Sequence, residues 1–203
     1  MRALAEAPQL LLEYSGLDYE YLMSWDHFGD VWTNVKSKIP FQQLPMMEAE
    51  DGTQICQSIA ILQYIENRSG LAINDPVKAA EAMAILQSSQ ELFAPLNPTI
   101  NFATGDDFIA KRDTMRGGLN NRFADLSRCL EKYEGKYFID DTPRAAEFAA
   151  FHHMDLSRHL DPDILNSFPR LVQFVKDIES IKTVSSYLEN RPELIDVGVE
   201  PKL

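Results

Sequence analysis

The sequence predicts an α+β protein in two parts, a small mixed α/β half followed by an all-helical half. Three features carry this reading. Met46–Glu50 and Thr53–Cys56 are short β-prone runs around Asp51-Gly52, and Asp-Gly is a strong hairpin signal. From Pro76 onward the apolar residues recur at helical spacing, without an alternating run. Between the two, Ser69–Pro76 combines Gly, Asn and Asp with a helix-starting Pro, as a linker does. The expected parts are residues 1–72 and 77–203.

Taken in order, Ala3–Tyr14 reads as an amphipathic helix, with Leu4, Leu11 and Leu12 among its apolar positions and Gly16 as its stop. Tyr19–Met23 alternates as a strand would, and Asp26–Asp30 is polar and loop-like. Val31–Ser37 reads as a short helix that puts Trp32 and Lys36 on one face. The Leu44-Pro45 bond is a candidate cis bond, because X-Pro is the common context for cis. After the hairpin, Ser58 is the expected N-cap of a helix Ile59–Asn67, which buries Ile61, Leu62 and Ile65 and ends near Gly70.

The second half opens with Ala-rich Val77–Leu96, which Pro95 and Pro98 should end or kink. Asp107–Tyr133 is a long helical pattern weakened by Gly117-Gly118. Ala145–Leu160, Pro169–Ile181 and Thr183–Asn190 follow as three more helices, and Arg191–Leu203 as a polar surface tail.

Composition bounds the function. A chain of 203 residues with 45% hydrophobic content can bury about 70% of its unfolded surface. A net charge of −12 argues against nucleic acid as a partner, since phosphate binding needs a basic face. No apolar run approaches the length that spans a bilayer, and no membrane partner is expected. The two cysteines, Cys56 and Cys129, form no disulfide framework, so a reducing, cytoplasmic compartment is the simplest expectation. His152, His153 and His159 lack a third ligand in register and read as ordinary helix histidines, so no metal is expected.

The stretch PFQQLPMMEAEDGTQICQSIAILQYIE, from Pro40 to Glu66, closely resembles the thioredoxin-like half of the cytosolic glutathione transferases, whose pattern is roughly PFGQLPxLExDGxxLxQSxAIxxYL. TPRAAEFAAFHHMDL and FPRLVQFVKDIESIKTVSSYLENRPE resemble the buried helix and the last two helices of the same family. The family opens its buried helix with Ser or Thr, then Asp three residues on. Here Arg144 stands three before Glu147, so a cap of different geometry, or none, is expected.

The resemblance implies a thioredoxin-like α/β domain followed by an all-α helical bundle, glutathione as co-substrate, and a homodimer. The implied reaction is conjugation of glutathione to hydrophobic electrophiles, or glutathione-dependent isomerisation or peroxide reduction. The rival is a non-catalytic protein of the same fold, a scaffold or ligand carrier.

Glutathione carries two carboxylates, an amine and a thiol. Gln57 and Ser58 match the pair that holds the γ-glutamyl carboxylate, which suits the anion preference of a helix N-terminus. Leu44, before Pro45, matches the position that pairs with the cysteinyl backbone. Trp32, Lys36 and Gln43 match groups at the glycyl end. Glu91, with Gln90, is the nearest match to an acidic group that reaches the partner's glutathione amine. Phe93, Leu96 and Phe102 are candidates for the electrophile pocket.

A thiol has a pKa of roughly 8.5 and needs a donor to ionise at neutral pH. In the tyrosine-type members that donor is a Tyr ending a first strand, a few residues before a segment like MRGRAE. Here MRALAE is residues 1 to 6 and holds no Ser, Cys or Tyr. Leu4 stands where many members have Arg. No catalytic residue is assigned, and Tyr14, Tyr19 and Tyr21 fall too late to serve by analogy. The expectation is that in-frame coding sequence upstream of Met1 encodes a short apolar strand ending in Tyr.

Overall fold

The computed structural model describes residues 3–191. Its first half runs helix α1 (Glu6–Ser15), the short helices α2 (Ser24–Phe28) and α3 (Trp32–Val35), two 3-10 turns (Lys36–Lys38 and Pro40–Gln42), strands β1 (Met46–Glu48) and β2 (Gln54–Cys56), and helix α4 (Ser58–Ser69). The second half is α5 (Pro76–Gln90), α6 (Phe93–Phe102), α7 (Gly105–Glu131), α8 (Ala145–Leu160), α9 (Pro169–Glu179) and α10 (Lys182–Asn190). This is a thioredoxin-like α/β unit followed by a helical bundle.

The hairpin forms as its sequence requires. β1 and β2 pair antiparallel with Met46 opposite Cys56, Met47 opposite Ile55 and Glu48 opposite Gln54. Gly52 takes φ 81° in the turn, and its N–H donates to Ala49 O at 2.8 Å. α4 buries Ile61, Leu62 and Ile65 and ends at Gly70, which takes the left-handed conformation and donates its N–H to Glu66 O.

Several expectations are corrected. Tyr19–Met23 is not a strand; among the described residues no neighbouring strand pairs with it, and alternation without a partner does not make a ladder. Asp26–Asp30 is not a loop throughout, because Ser24–Phe28 makes one helical turn closed by left-handed Gly29. Ser58 is not the N-cap. The reversal out of β2 falls on Gln57, whose φ is 73°, so Gln57 flanks the helix and Ser58 is its first residue. The break in Val77–Leu96 comes at Glu91-Leu92, before the prolines. Pro95 and Pro98 lie within α6 instead, Pro95 in the first turn, where the backbone N–H has no intrahelical partner to lose. Gly117-Gly118 does not interrupt α7.

The helical half is built around α8, which is buried without interruption from Ala145 to Ser157. It packs against α5, α6 and α1, with Phe148, Phe151 and Met154 fully enclosed. Its start is half of a capping box. The Glu147 carboxylate accepts from the Arg144 N–H at 2.8 Å and from the Phe138 N–H at 3.0 Å. A guanidinium cannot return an acceptor, so Arg144 turns to another task. It donates to Asp140 at 2.8 and 2.9 Å, to Thr142 O at 2.9 Å, and to Leu71 O at 2.9 Å. Beside it, the Ala145 N–H donates to Glu66 Oε1 at 3.0 Å. The end of α4 and the start of α8 are thereby stitched together.

Arg191 is not a surface residue. Its side chain is 9% exposed and pairs with both Glu6 and Asp155, while Tyr187 Oη donates to Glu6 Oε2 at 3.2 Å. Burial works against the Asp155 carboxylate, yet Arg191 and Arg158 beside it hold it below the usual carboxylate range. The rest of the expected tail lies outside the described residues. None of the described helices is long and apolar enough to cross a membrane.

Candidate functional site

The loop between α3 and β1 gathers most of the implied site. A shallow depression of about 410 Å3 is lined by Leu4, Trp32, Gln42, Gln43 and Leu44. Trp32 opens α3, half-buried, and Lys36 follows one turn later, exposed. The Leu44-Pro45 bond is cis, and Leu44 is 47% exposed. The loop reaches this shape through Phe41 and Gln42, with φ values of 64° and 52°, a region that few non-glycine residues adopt.

Gln57 and Ser58 stand at the start of α4. The Gln57 amide Nε2 donates to Gln43 Oε1 at 3.3 Å, which ties the helix start to the depression. No side chain caps α4, so the first N–H groups, on Ser58, Ile59 and Ala60, have no intrahelical acceptor. Ser58 is itself buried, at 6% exposure. Together these groups can receive a carboxylate at the helix N-terminus and present amide donors and acceptors along an extended ligand.

Other implied residues lie elsewhere. Glu91 sits at the junction of α5 and α6, paired with Arg122 of α7. Gln90 turns inward, its Oε1 3.2 Å from His153 Nε2. Phe93 packs its ring 6.2 Å from that of His153, Leu96 is wholly enclosed in the core, and Phe102 is 53% exposed.

The chemistry of sulfur activation is not assembled by the described residues. No hydroxyl or thiol lines the depression. Tyr19 Oη donates to Glu13 Oε1 at 2.7 Å; burial and that carboxylate push the phenol well up. Burial likewise pushes the Cys56 thiol up, so it is a poor nucleophile at neutral pH. Among the described residues, no group of three His, Cys, Asp or Glu could hold a metal ion.

Sequence reasoning missed the contact between Gln43 and Gln57 and the positive φ of Gln57. The first depends on side-chain placement across fourteen residues of chain. The second had a signal in the abrupt passage from strand to helix at Cys56-Gln57-Ser58.

A thioredoxin-like unit with an open helix start beside a cis-proline loop, joined to a helical bundle, defines a class of two-part proteins whose first part can receive an anionic ligand. Residues 1–67 match the glutathione S-transferase N-terminal domain, and residues 100–191 the glutathione S-transferase C-terminal domain. The chain belongs to the glutathione S-transferase family, whose co-substrate is glutathione. It is 29% identical over 197 residues to hematopoietic prostaglandin D synthase of Gallus gallus, covering 95% of this chain and 94% of that protein. It is 25% identical over 198 residues to probable glutathione S-transferase 6 of Caenorhabditis elegans, with the same coverage. The solved structure of NaGST-2 superposes with a TM-score of 0.83 at 24% identity, covering 95% and 94% of the two chains. At the family level the activity is glutathione transfer or glutathione-dependent isomerisation.

Proposed function

We propose that this chain binds glutathione across Leu44, Gln57 and Ser58, with Trp32, Lys36 and Gln43 at the glycyl end, and delivers it to a hydrophobic electrophile. Isomerisation or peroxide reduction with glutathione is the same use of the site on a different second substrate. The observation that carries the reading is the bond between Gln57 and Gln43. It brings the open start of α4 to the depression that Trp32, Gln43 and Leu44 share. In this division of labour residues 1–72 hold glutathione and residues 77–203 form the second domain. The functional assembly is a homodimer, located in the cytoplasm. Within it, Glu91 would have to exchange Arg122 for a partner's glutathione amine.

A second reading, a glutathione-binding protein without turnover, rests on the make-up of the depression. Its described lining offers no hydroxyl to stabilise a thiolate. Two measurements separate the readings. Calorimetric titration with glutathione tests the cradle, and turnover of a generic aromatic electrophile tests the chemistry. Saturable binding is the expected result, and turnover with it assigns the first reading. Binding without turnover assigns the second reading, and absence of binding at millimolar glutathione defeats both.

A further inference from the structure

The depression beside the start of α4 is neutral. Its described lining, Leu4, Trp32, Gln42, Gln43 and Leu44, carries no charged side chain. Lys36 and Lys38, the nearest described cations along the chain, are exposed and lie outside that lining. Leu4 itself stands where many members of the family have Arg.

Recognition here therefore falls to amides. Gln43 is already committed, its Oε1 accepting from the Gln57 amide at 3.3 Å. Gln42 is not. It is exposed, and its amide makes no hydrogen bond among the described residues. Gln42 occupies the Gly position of the family pattern PFGQLP, at a φ of 52° that glycine adopts freely. The depression thereby has a primary amide, with two N–H donors and one acceptor oxygen, that a glycine would not provide.

On the glutathione reading proposed above, on which this inference rests, the two carboxylates of the ligand meet unlike surroundings. The γ-glutamyl carboxylate reaches the free N–H groups at the start of α4, where a helix N-terminus favours an anion. The glycyl carboxylate reaches a neutral rim, and Lys36 meets it from solvent, where an ion pair contributes little. A carboxylate offers acceptors alone, whereas a carboxamide offers an acceptor and an N–H donor and can pair with a glutamine amide through two bonds.

We propose that Gln42 is a specificity residue that reads the glycyl end as an amide, so that the co-substrate class extends to glutathione whose glycyl carboxyl is joined in amide linkage to ammonia or a primary amine. The γ-glutamyl carboxylate and the thiol stay free in such a molecule. Its hold on α4 and the use of its sulfur are therefore the same as for glutathione.

The test is calorimetric titration of the full chain with glutathione and with γ-glutamyl-cysteinyl-glycinamide. The expected result is that the amide binds at least as tightly as glutathione. Gln42→Gly should weaken the amide about fivefold, the scale of one neutral hydrogen bond, and leave glutathione within about twofold. The isosteric Gln42→Glu should do the reverse. It should weaken glutathione about threefold, the scale of an exposed charge pair, while the amide, with an N–H to donate, keeps its affinity. An amide that binds about tenfold or more weakly than glutathione overturns the proposal and leaves the glutathione reading intact. An equal loss for both ligands in Gln42→Gly, or no change for either in Gln42→Glu, overturns it in the same way. Binding of neither ligand to the parent chain overturns the proposal together with the reading beneath it.

Discussion

Gln57 holds φ 73°, where a side chain costs on the order of 1–3 kcal/mol. Glycine would relieve that cost and at the same time remove the amide that reaches Gln43. Gln57→Gly should leave the thermal midpoint unchanged or raised while weakening glutathione binding about tenfold or more, the scale of one hydrogen bond to a charged group. Scanning fluorimetry and calorimetry on the same samples check both halves. Two buried titrating residues on α8 oppose each other. Burial pushes the Glu147 carboxyl up to about 7, against the pull of its two N–H donors. That contribution to stability is greatest at low pH and fades as pH rises through the folded value. Burial, then the charge of His152, hold the His153 imidazole well below its ordinary 6.5. The unfolded chain then takes up a proton that the folded one refuses, and stability falls as pH drops below that value. Denaturant midpoints compared at about pH 7.5 and about 5.5 should show His153→Gln less sensitive to acid than the parent, and Glu147→Gln more sensitive.

At the scale of elements, the start of α8 depends on Glu147. Glu147→Ala leaves the Phe138 and Arg144 N–H groups without their acceptor, at about 1–3 kcal/mol each. Chemical denaturation should register a loss of that order, with glutathione binding by the remaining folded protein preserved. The turn before α8 is equally constrained. A Cβ on Gly135, whose φ is 141°, would lie 2.9 Å from the Asp140 carbonyl carbon. The core helix α8 was legible in the sequence to the residue, because its apolar spacing is unbroken. The first half was less so. Tyr19–Met23 and Ser24–Phe28 were read by pattern, but a strand exists only with a neighbour, and a single helical turn has too few residues to show a period. The grouping of Trp32, Gln43 and Leu44 along one depression, with Gln57 bonded to Gln43, was suggested by resemblance alone. For Phe93, Leu96 and Phe102 the sequence carries little signal, because which helix face meets a cavity is decided by packing across the bundle.

Across the whole molecule, Arg191 links the first helix to the last. It pairs with Glu6 of α1 and Asp155 of α8, and Arg158 carries Asp155 on to Glu179 of α9 at 2.6 Å. Removing one partner of a buried network leaves the others uncompensated, at about 3–5 kcal/mol. Arg191→Ala should therefore destabilise far more than Arg68→Ala, whose pairing with Glu50 is at the surface; urea denaturation of the two variants checks the contrast. This anchor was invisible in the sequence, where Arg191 opens a polar run and nothing marks a partner so far away along the chain.

The stitching of α4 to α8 has a consequence for the covalent chain. Arg144 holds Leu71 O and Ala145 holds Glu66 just before the Ala72–Asp75 crossing, and α5 beyond it packs on α8. Those contacts should hold the two halves together without a continuous polypeptide there. A protease site placed at Asn74 should yield two fragments on a denaturing gel, yet one particle of unchanged size by gel filtration.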